Sequence, residues 1–275
     1  MKFALIGHPV SHSFSADYLN TRFKNEGIDA LYELIDLPDI TEFPALIQSS
    51  KYDGFNVTIP HKKSIIPYLN HLSPEAQAVG AVNVIKIVNT NNYSPVLGEP
   101  TLEARAESKL VCIMPCKEEE DEVKVSKGRR GSFDLIGHNT DIIGFRDTFM
   151  PLLKPYHTHA IILGTGGASQ AVQYVLRQLN IPFRLVNHKQ LDANTITDLA
   201  PIIINTTPLG MHPHTNIAPN IDYNQLTDRH LLYDLVYNPT ETRFLQLGAQ
   251  HGATTQNGLA MLHRQADAAL NIWLK

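Results

Sequence analysis

Cysteine is nearly absent from this chain: Cys112 and Cys116, both in one CIMPC stretch, leave no second pair for a disulfide framework or a four-thiolate zinc site. Long apolar runs are missing as well, and no stretch approaches the roughly eighteen residues of a membrane-crossing helix. The first residues lack the basic region, apolar stretch and small-residue cleavage site of a secretory signal, so a cytoplasmic location is the default expectation. Nor does one sign of charge dominate, since 23 Lys and Arg stand against 27 Asp and Glu. Without an uninterrupted basic stripe, no nucleic-acid partner is expected. The histidines, among them His157, His159, His251 and His263, show no compact ligand spacing, and His212 and His214 in GMHPHT read as solvated loop residues. No metal is expected.

What is present suits a folded α/β protein. With 43% apolar and 18% charged residues the chain has enough core-forming side chains to fold, and 275 residues suffice for two modest domains. Over residues 1–90, strand patterns (KFALIGHPV, YELIDL, DGFNVTIP, VNVIKIV) alternate with helical ones (ADYLNTRFKNEG, ITEFPALIQSS, SPEAQAVGA), which describes a first α/β domain. Residues 91–131 interrupt this order with an acidic and then basic run, KEEEDEVKVSKGRR. They read as a solvated insertion or long hairpin. Over 132–257 the alternation returns, from FDLIG and HNTDIIGFRDTFMPLL through HAIILGTGGASQAVQYVLRQL, FRLVNH, LDANTITDLA, PIIINTTPLGM and LLYDLVYNP to ETRFLQLGAQHG. The final segment, 258–275, is an amphipathic helix.

The most specific local signal is the turn between AIIL and ASQAVQYVL. Gly164 permits a tight turn, Gly166 and Gly167 let backbone approach a pyrophosphate, and the following helix start stabilises its charge; Ser169 provides a small packing residue. A dinucleotide site is expected there. The next strand ends in Asn187, His188 and Lys189 with no acid to hold a ribose hydroxyl, while Lys189 offers charge for a 2'-phosphate, so NADP is favoured; a solvated Lys189 and use of either cofactor is the alternative.

Polar residues also gather at strand ends in the first domain: Ser13 and Ser15 in VSHSFS, Thr58 and Lys62 in NVTIPHKK, and Asn83 in GAVNV. Hydroxyls and amides there suit a hydroxyl-rich ligand, although either serine could equally be a helix cap. Lys62 and Asp141 form a plausible chemical pair. An ammonium can stabilise charge developing on a ketone oxygen during hydride transfer or donate the proton, and a neighbouring carboxylate would orient it. The sequence leaves proton donor and electrostatic clamp both open. Asp234 reads as organising the loop toward Tyr237.

The stretches GHPVSHSFS, DGFNVTIPHKK, GAVNVIK, IGHNTDIIGF, LGTGGASQA, INTTPLGM, YDLVYNPTETRFL and NGLAMLHRQA, in this order, resemble the shikimate dehydrogenase (shikimate/quinate dehydrogenase) family along nearly the whole chain. The resemblance implies an N-terminal α/β substrate-binding domain, completed by helix 258–275, a C-terminal Rossmann-type parallel-sheet domain, and a cleft between them. It implies reversible reduction of 3-dehydroshikimate to shikimate with NADPH, on the route to chorismate and aromatic amino acids. Lys62 and Asp141 would be the catalytic pair. Ser13, Ser15 and Tyr237 would lie at the substrate carboxylate, and Thr58, Asn83 and Gln265 at ring hydroxyls or the carboxylate side. Gly164, Gly166, Gly167, Ala168 and Thr206 would serve the cofactor, with Asn187, His188 and Lys189 at its adenosine end and Gly258 and Met261 beside the nicotinamide.

Two departures qualify what is implied. The family's selectivity loop is commonly Asn-Arg-Thr, whereas here a lysine must replace the arginine's planar fork. The segment before IGHNTD is lengthened by the insertion, and His138 within it stands at a variable position. The competing readings are a quinate or dual quinate/shikimate dehydrogenase using NAD or NADP, a relative acting on an aminated analogue, and, in another class, a non-catalytic dinucleotide-binding regulator. Monomer and homodimer are both open.

Overall fold

The computed structural model describes residues 1–11, 13–49, 51–89, 133–187, 189–190 and 199–275. The expected insertion over 91–131, with Cys112 and Cys116, lies outside them, as do His188 and most of the helix expected over 191–200. By contacts, residues 1–87 and 135–275 make one unit, which holds the candidate site, and 88–134 make another.

The first half of the chain runs β1 (Lys2–Gly7), α1 (Ser15–Glu26), β2 (Leu31–Asp36), α2 (Phe43–Ser49), β3 (Gly54–Val57), β4 (His71–Leu72), α3 (Pro74–Val79) and β5 (Val84–Asn89). After the undescribed stretch come β6 (Phe133–His138), α4 (Asp141–Phe149), β7 (Ala160–Leu163), α5 (Gly167–Gln178), β8 (Phe183–Val186), β9 (Ile202–Asn205), β10 (Leu231–Asp234), α6 (Arg243–Gln250), β11 (Thr254–Gln256) and α7 (Leu259–Leu274).

Two sheets result. One has the order β2-β1-β3-β5-β6-β4, parallel at β2-β1-β3 and antiparallel where β5 meets β3; the other, β11-β10-β9-β7-β8, is parallel throughout. Central parallel strands are covered on both faces and therefore need apolar runs, which Ala160–Leu163 supplies throughout and Ile202–Asn205 and Leu231–Asp234 supply up to a polar last residue, every residue buried. Helix α5 lays Ala171, Val172, Val175 and Leu176 against this sheet with no exposure.

The structure departs from the sequence expectations in three places. β6, expected to open the second domain, pairs into the first sheet beside β5 and β4, so the chain crosses between sheets through α4. The two-residue β4 and three-residue β11 were not anticipated, because neither is long enough to show a period. Neither Ser13 nor Ser15 caps a helix; the N-cap of α1 is Phe14, without a side-chain bond.

Helix α7 serves both sheets. Its far end places Leu270 and Trp273 in the core of the first, with Trp273 stacked on Phe3 at 4.4 Å and donating its indole N–H to the Ile85 carbonyl at 3.0 Å. Its near end places Met261 in the core of the second with Ile142, Phe145 and Tyr233. Gly258, just before it, approaches the end of β10 so closely that a Cβ there would clash with the Leu235 carbonyl oxygen. Among the described residues, no helix is long and apolar enough to cross a membrane.

Candidate active site

Lys62 lies on the turn that follows β3. Its carbonyl accepts the Val82 N–H at 2.8 Å, and the neighbouring buried His61 meets the Leu37 carbonyl through Nε2 at 2.5 Å, so the turn is fixed on both sides. Asp141 is the first residue of α4, where the exposed N–H groups of a helix start favour a negative charge. The two side chains meet with Lys62 Nζ 2.5 Å from Asp141 Oδ2. Because their side chains are only 15% and 6% exposed, water screens this attraction far less than it would a surface pair.

The other carboxylate oxygen of Asp141 is held as well. Asn83 Nδ2 lies 2.9 Å from Oδ1, and the same amide nitrogen faces Thr140 Oγ1 at 3.1 Å and Gln265 Oε1 at 3.2 Å. Two amide hydrogens thus serve three acceptors, and the orientation of Asn83 is set from its other end by the Thr140 N–H, which donates to Asn83 Oδ1 at 2.7 Å. The structure brings Lys62, Asp141, Asn83 and Gln265 together from four separate parts of the chain. Thr58 belongs to the same turn as Lys62, its carbonyl accepting the His61 N–H at 2.8 Å, but its side chain stands outside this network.

Thr140 is the member that sequence reading missed. A threonine just before a helix-opening aspartate reads as a cap, yet its hydroxyl makes no cap bond and turns toward Asn83 and Gln265 instead.

A second cluster joins Ser13, Ser15 and Tyr237. Ser13 Oγ lies 3.2 Å from Ser15 Oγ and accepts the Ser15 N–H at 3.3 Å. Tyr237, from the loop after β10, packs on the Phe14 ring with centroids 5.5 Å apart. Burial pushes the Tyr237 phenol up from its ordinary pKa, against hydrogen bonds with the Ser13 side chain and the Phe14 backbone.

Gly164 opens the glycine turn at φ +109°, a conformation that side chains resist, and a Cβ there would crowd Thr206 Oγ1 at 2.6 Å. Thr206 is tied to the same turn by donating its hydroxyl to the Leu163 carbonyl at 2.7 Å. Gly166 faces open space, and Gly167 and Ala168 begin α5, whose first turn carries no acid. This bare helix start fits a pyrophosphate. At Gly167 a Cβ would come 3.3 Å from Lys62 Cβ, so the helix start and the lysine are immediate neighbours. At the end of β8, Asn187 and Gln190 exchange backbone and side-chain hydrogen bonds of 3.0 Å, with Lys189 exposed between them. A 2'-phosphate would find no carboxylate among the described residues of that turn.

A parallel sheet with a glycine turn, adjoining a mixed sheet that presents a lysine and carboxylate at its edge, defines the class: a two-domain α/β oxidoreductase of the NAD(P)-dependent type. Comparison with known proteins narrows it. Residues 5–85 match the family model described as the shikimate dehydrogenase substrate binding domain. The chain is 31% identical to the shikimate dehydrogenase (NADP(+)) of Staphylococcus haemolyticus, a likeness covering 99% of this chain and 92% of that one. Its structure is similar to a shikimate dehydrogenase solved in complex with NADP+ (30% identity, TM-score 0.71, 99% of this chain and 89% of the other). It is also similar to the shikimate 5-dehydrogenase of Thermus thermophilus in complex with NADP(H) and shikimate (25% identity, TM-score 0.71, 99% and 93%). The chain belongs to the shikimate dehydrogenase family.

Proposed function

We propose that this protein is an NADP-dependent shikimate dehydrogenase, interconverting 3-dehydroshikimate and shikimate in the cytoplasm. The observation that carries the reading is the Lys62–Asp141 ion pair, at 2.5 Å, set directly against the start of α5. A nicotinamide cofactor, when bound, supplies the hydride. Reduction builds negative charge on the ketone oxygen, and the Lys62 ammonium stabilises that charge and delivers the proton. Asp141 holds the ammonium in place, and Asn83 keeps the carboxylate from rotating away. In the oxidative direction the same pair receives the proton of the hydroxyl.

In this reading the first sheet with α7 is the substrate domain and the second sheet the cofactor domain. Ser13, Ser15 and Tyr237 hold the substrate carboxylate, while Thr58, Asn83 and Gln265 bond ring hydroxyls. Gly164, Gly166, Gly167, Ala168 and Thr206 carry the pyrophosphate side of the dinucleotide. Gly258 and Met261 stand on the nicotinamide side, and Asn187 and Lys189 meet the 2'-phosphate. A soluble enzyme with a small-molecule substrate follows, working as a monomer or homodimer.

The test is turnover of the purified protein. With 3-dehydroshikimate and NADPH, cofactor oxidation accompanied by an equal amount of shikimate is expected. Preference for quinate or for NAD in the reverse direction would overturn the corresponding half of the assignment, and no turnover in either direction with either cofactor would overturn it whole.

A further inference from the structure

The mechanism leaves unused a buried carboxylate that has no cation on it among the described residues. Asp234 ends β10 with no exposed surface. Its Oδ1 accepts the Asn205 amide at 2.9 Å and the Val236 N–H at 3.0 Å, and its Oδ2 accepts the Thr242 hydroxyl at 2.6 Å. Each donor belongs to a different segment. Asn205 ends β9, and its Oδ1 in turn accepts the backbone N–H and the hydroxyl of Thr207, at 3.0 and 2.6 Å, fixing the loop that begins at Thr206. Val236 precedes Tyr237, and its carbonyl accepts the Gly258 N–H at 3.1 Å. Thr242 caps α6 through the Leu245 N–H at 3.4 Å.

We infer that Asp234, as a carboxylate, is the positioning residue for substrate binding by Tyr237, clamping the three loops at this edge of the second sheet so that the phenol reaches the Ser13 loop. This rests on the proposed role of Tyr237 at the substrate carboxylate. All three bonds point donors at the carboxylate, so a proton on Oδ1 would face two N–H donors, and one on Oδ2 would make Thr242 Oγ1 the acceptor and turn its hydroxyl hydrogen away. Burial raises the Asp234 pKa to about 6 despite those bonds, which puts the change within the working range. The groups facing it are neutral donors; the nearby ionisable groups are the phenol of Tyr223, which burial and the Asp234 charge push up, and the Arg243 guanidinium, which acts on that phenol in the opposite direction.

The experiment measures kcat and KM for shikimate from pH 5 to 8 in the wild type and in Asp234→Asn, Thr242→Val and Thr242→Ser. Amide hydrogen exchange of segments 206–209 and 235–242 is followed alongside. Expected in Asp234→Asn is a rise in KM of about tenfold at pH 8 with kcat changed far less, and loss of any further pH dependence near 6. In the wild type KM rises as pH falls through about 6. Thr242→Val, which removes a donor that lowers the carboxylate's pKa, moves that rise to higher pH, and Thr242→Ser restores it. Unchanged KM and unchanged exchange in Asp234→Asn would overturn the inference, as would faster exchange throughout the molecule with kcat and KM lost together. Should the wild type not turn over shikimate, the functional reading fails separately. Exchange then decides on Asp234: acceleration confined to the two segments sustains the clamp, and no acceleration overturns it.

Discussion

Asp141, opening the helix after β6, and Asp234, ending β10, are two buried carboxylates, 4% and 0% exposed, and they differ in what faces them. Asp141 has an ammonium on one oxygen and an amide on the other, at the start of a helix. Asp234 has three neutral donors and, among the described residues, no cation. The difference separates chemistry from architecture. A carboxylate that shares its charge with a lysine beside the glycine turn can steer a proton, whereas one enclosed by backbone and side-chain donors can only hold those donors in place.

The strongest way to break the comparison is Lys62→Met, which keeps the apolar stem and removes the charge. It should lower kcat/KM for shikimate by about a thousandfold, with the fold intact by circular dichroism. A loss of less than tenfold would move the chemistry elsewhere.

For Asp234 a second effect, beside that on KM, lies in stability. Its folded pKa of about 6 exceeds the ordinary 3.8, so the folded state binds more protons between those values. The group's contribution is therefore most favourable in acid and is lost as pH rises through about 6. Relative to Asp234→Asn, the wild type should lose about 2 kcal/mol of unfolding free energy between pH 4 and 7. Urea unfolding of both proteins at the two pH values checks this, and parallel curves would contradict it.

Gly258→Ala sharpens the architectural side. Its Cβ would meet the Leu235 backbone oxygen, which cannot turn aside as a side chain could, and thermal unfolding should reveal a destabilisation of about 1–3 kcal/mol. The smallest effect belongs to Lys189→Ala. An exposed lysine reading a phosphate contributes modestly, so KM for NADP should rise about fivefold while KM for NAD stays put. An equal rise for both would show that Lys189 does not read the 2'-phosphate.

How much of this was legible in the sequence follows from where each contact lies along the chain. The glycine turn and its flanking apolar strand and helix are contiguous, so residues 160–178 announced their own geometry. Lys62 and Asp141 lie 79 positions apart; their chemistry suggested a pair and the family resemblance agreed, but no spacing in the sequence shows that they meet. The same limit hid Thr140, whose partners Asn83 and Gln265 come from distant segments, and it hid the pairing of β6 into the first sheet. Asp234 was legible as a loop organiser. Its particular donors were not, since Asn205 and Thr242 reach it only once β9 and β10 pair and α6 begins.

The measurement that bears most directly on the account is a double-mutant cycle on kcat/KM for shikimate, using Lys62→Met, Asp141→Asn and both together. If the two residues act as one unit, the double variant will be no slower than Lys62→Met alone, within about threefold. If the separate losses multiply, the residues act independently, and the 2.5 Å pair is not the catalytic centre described here.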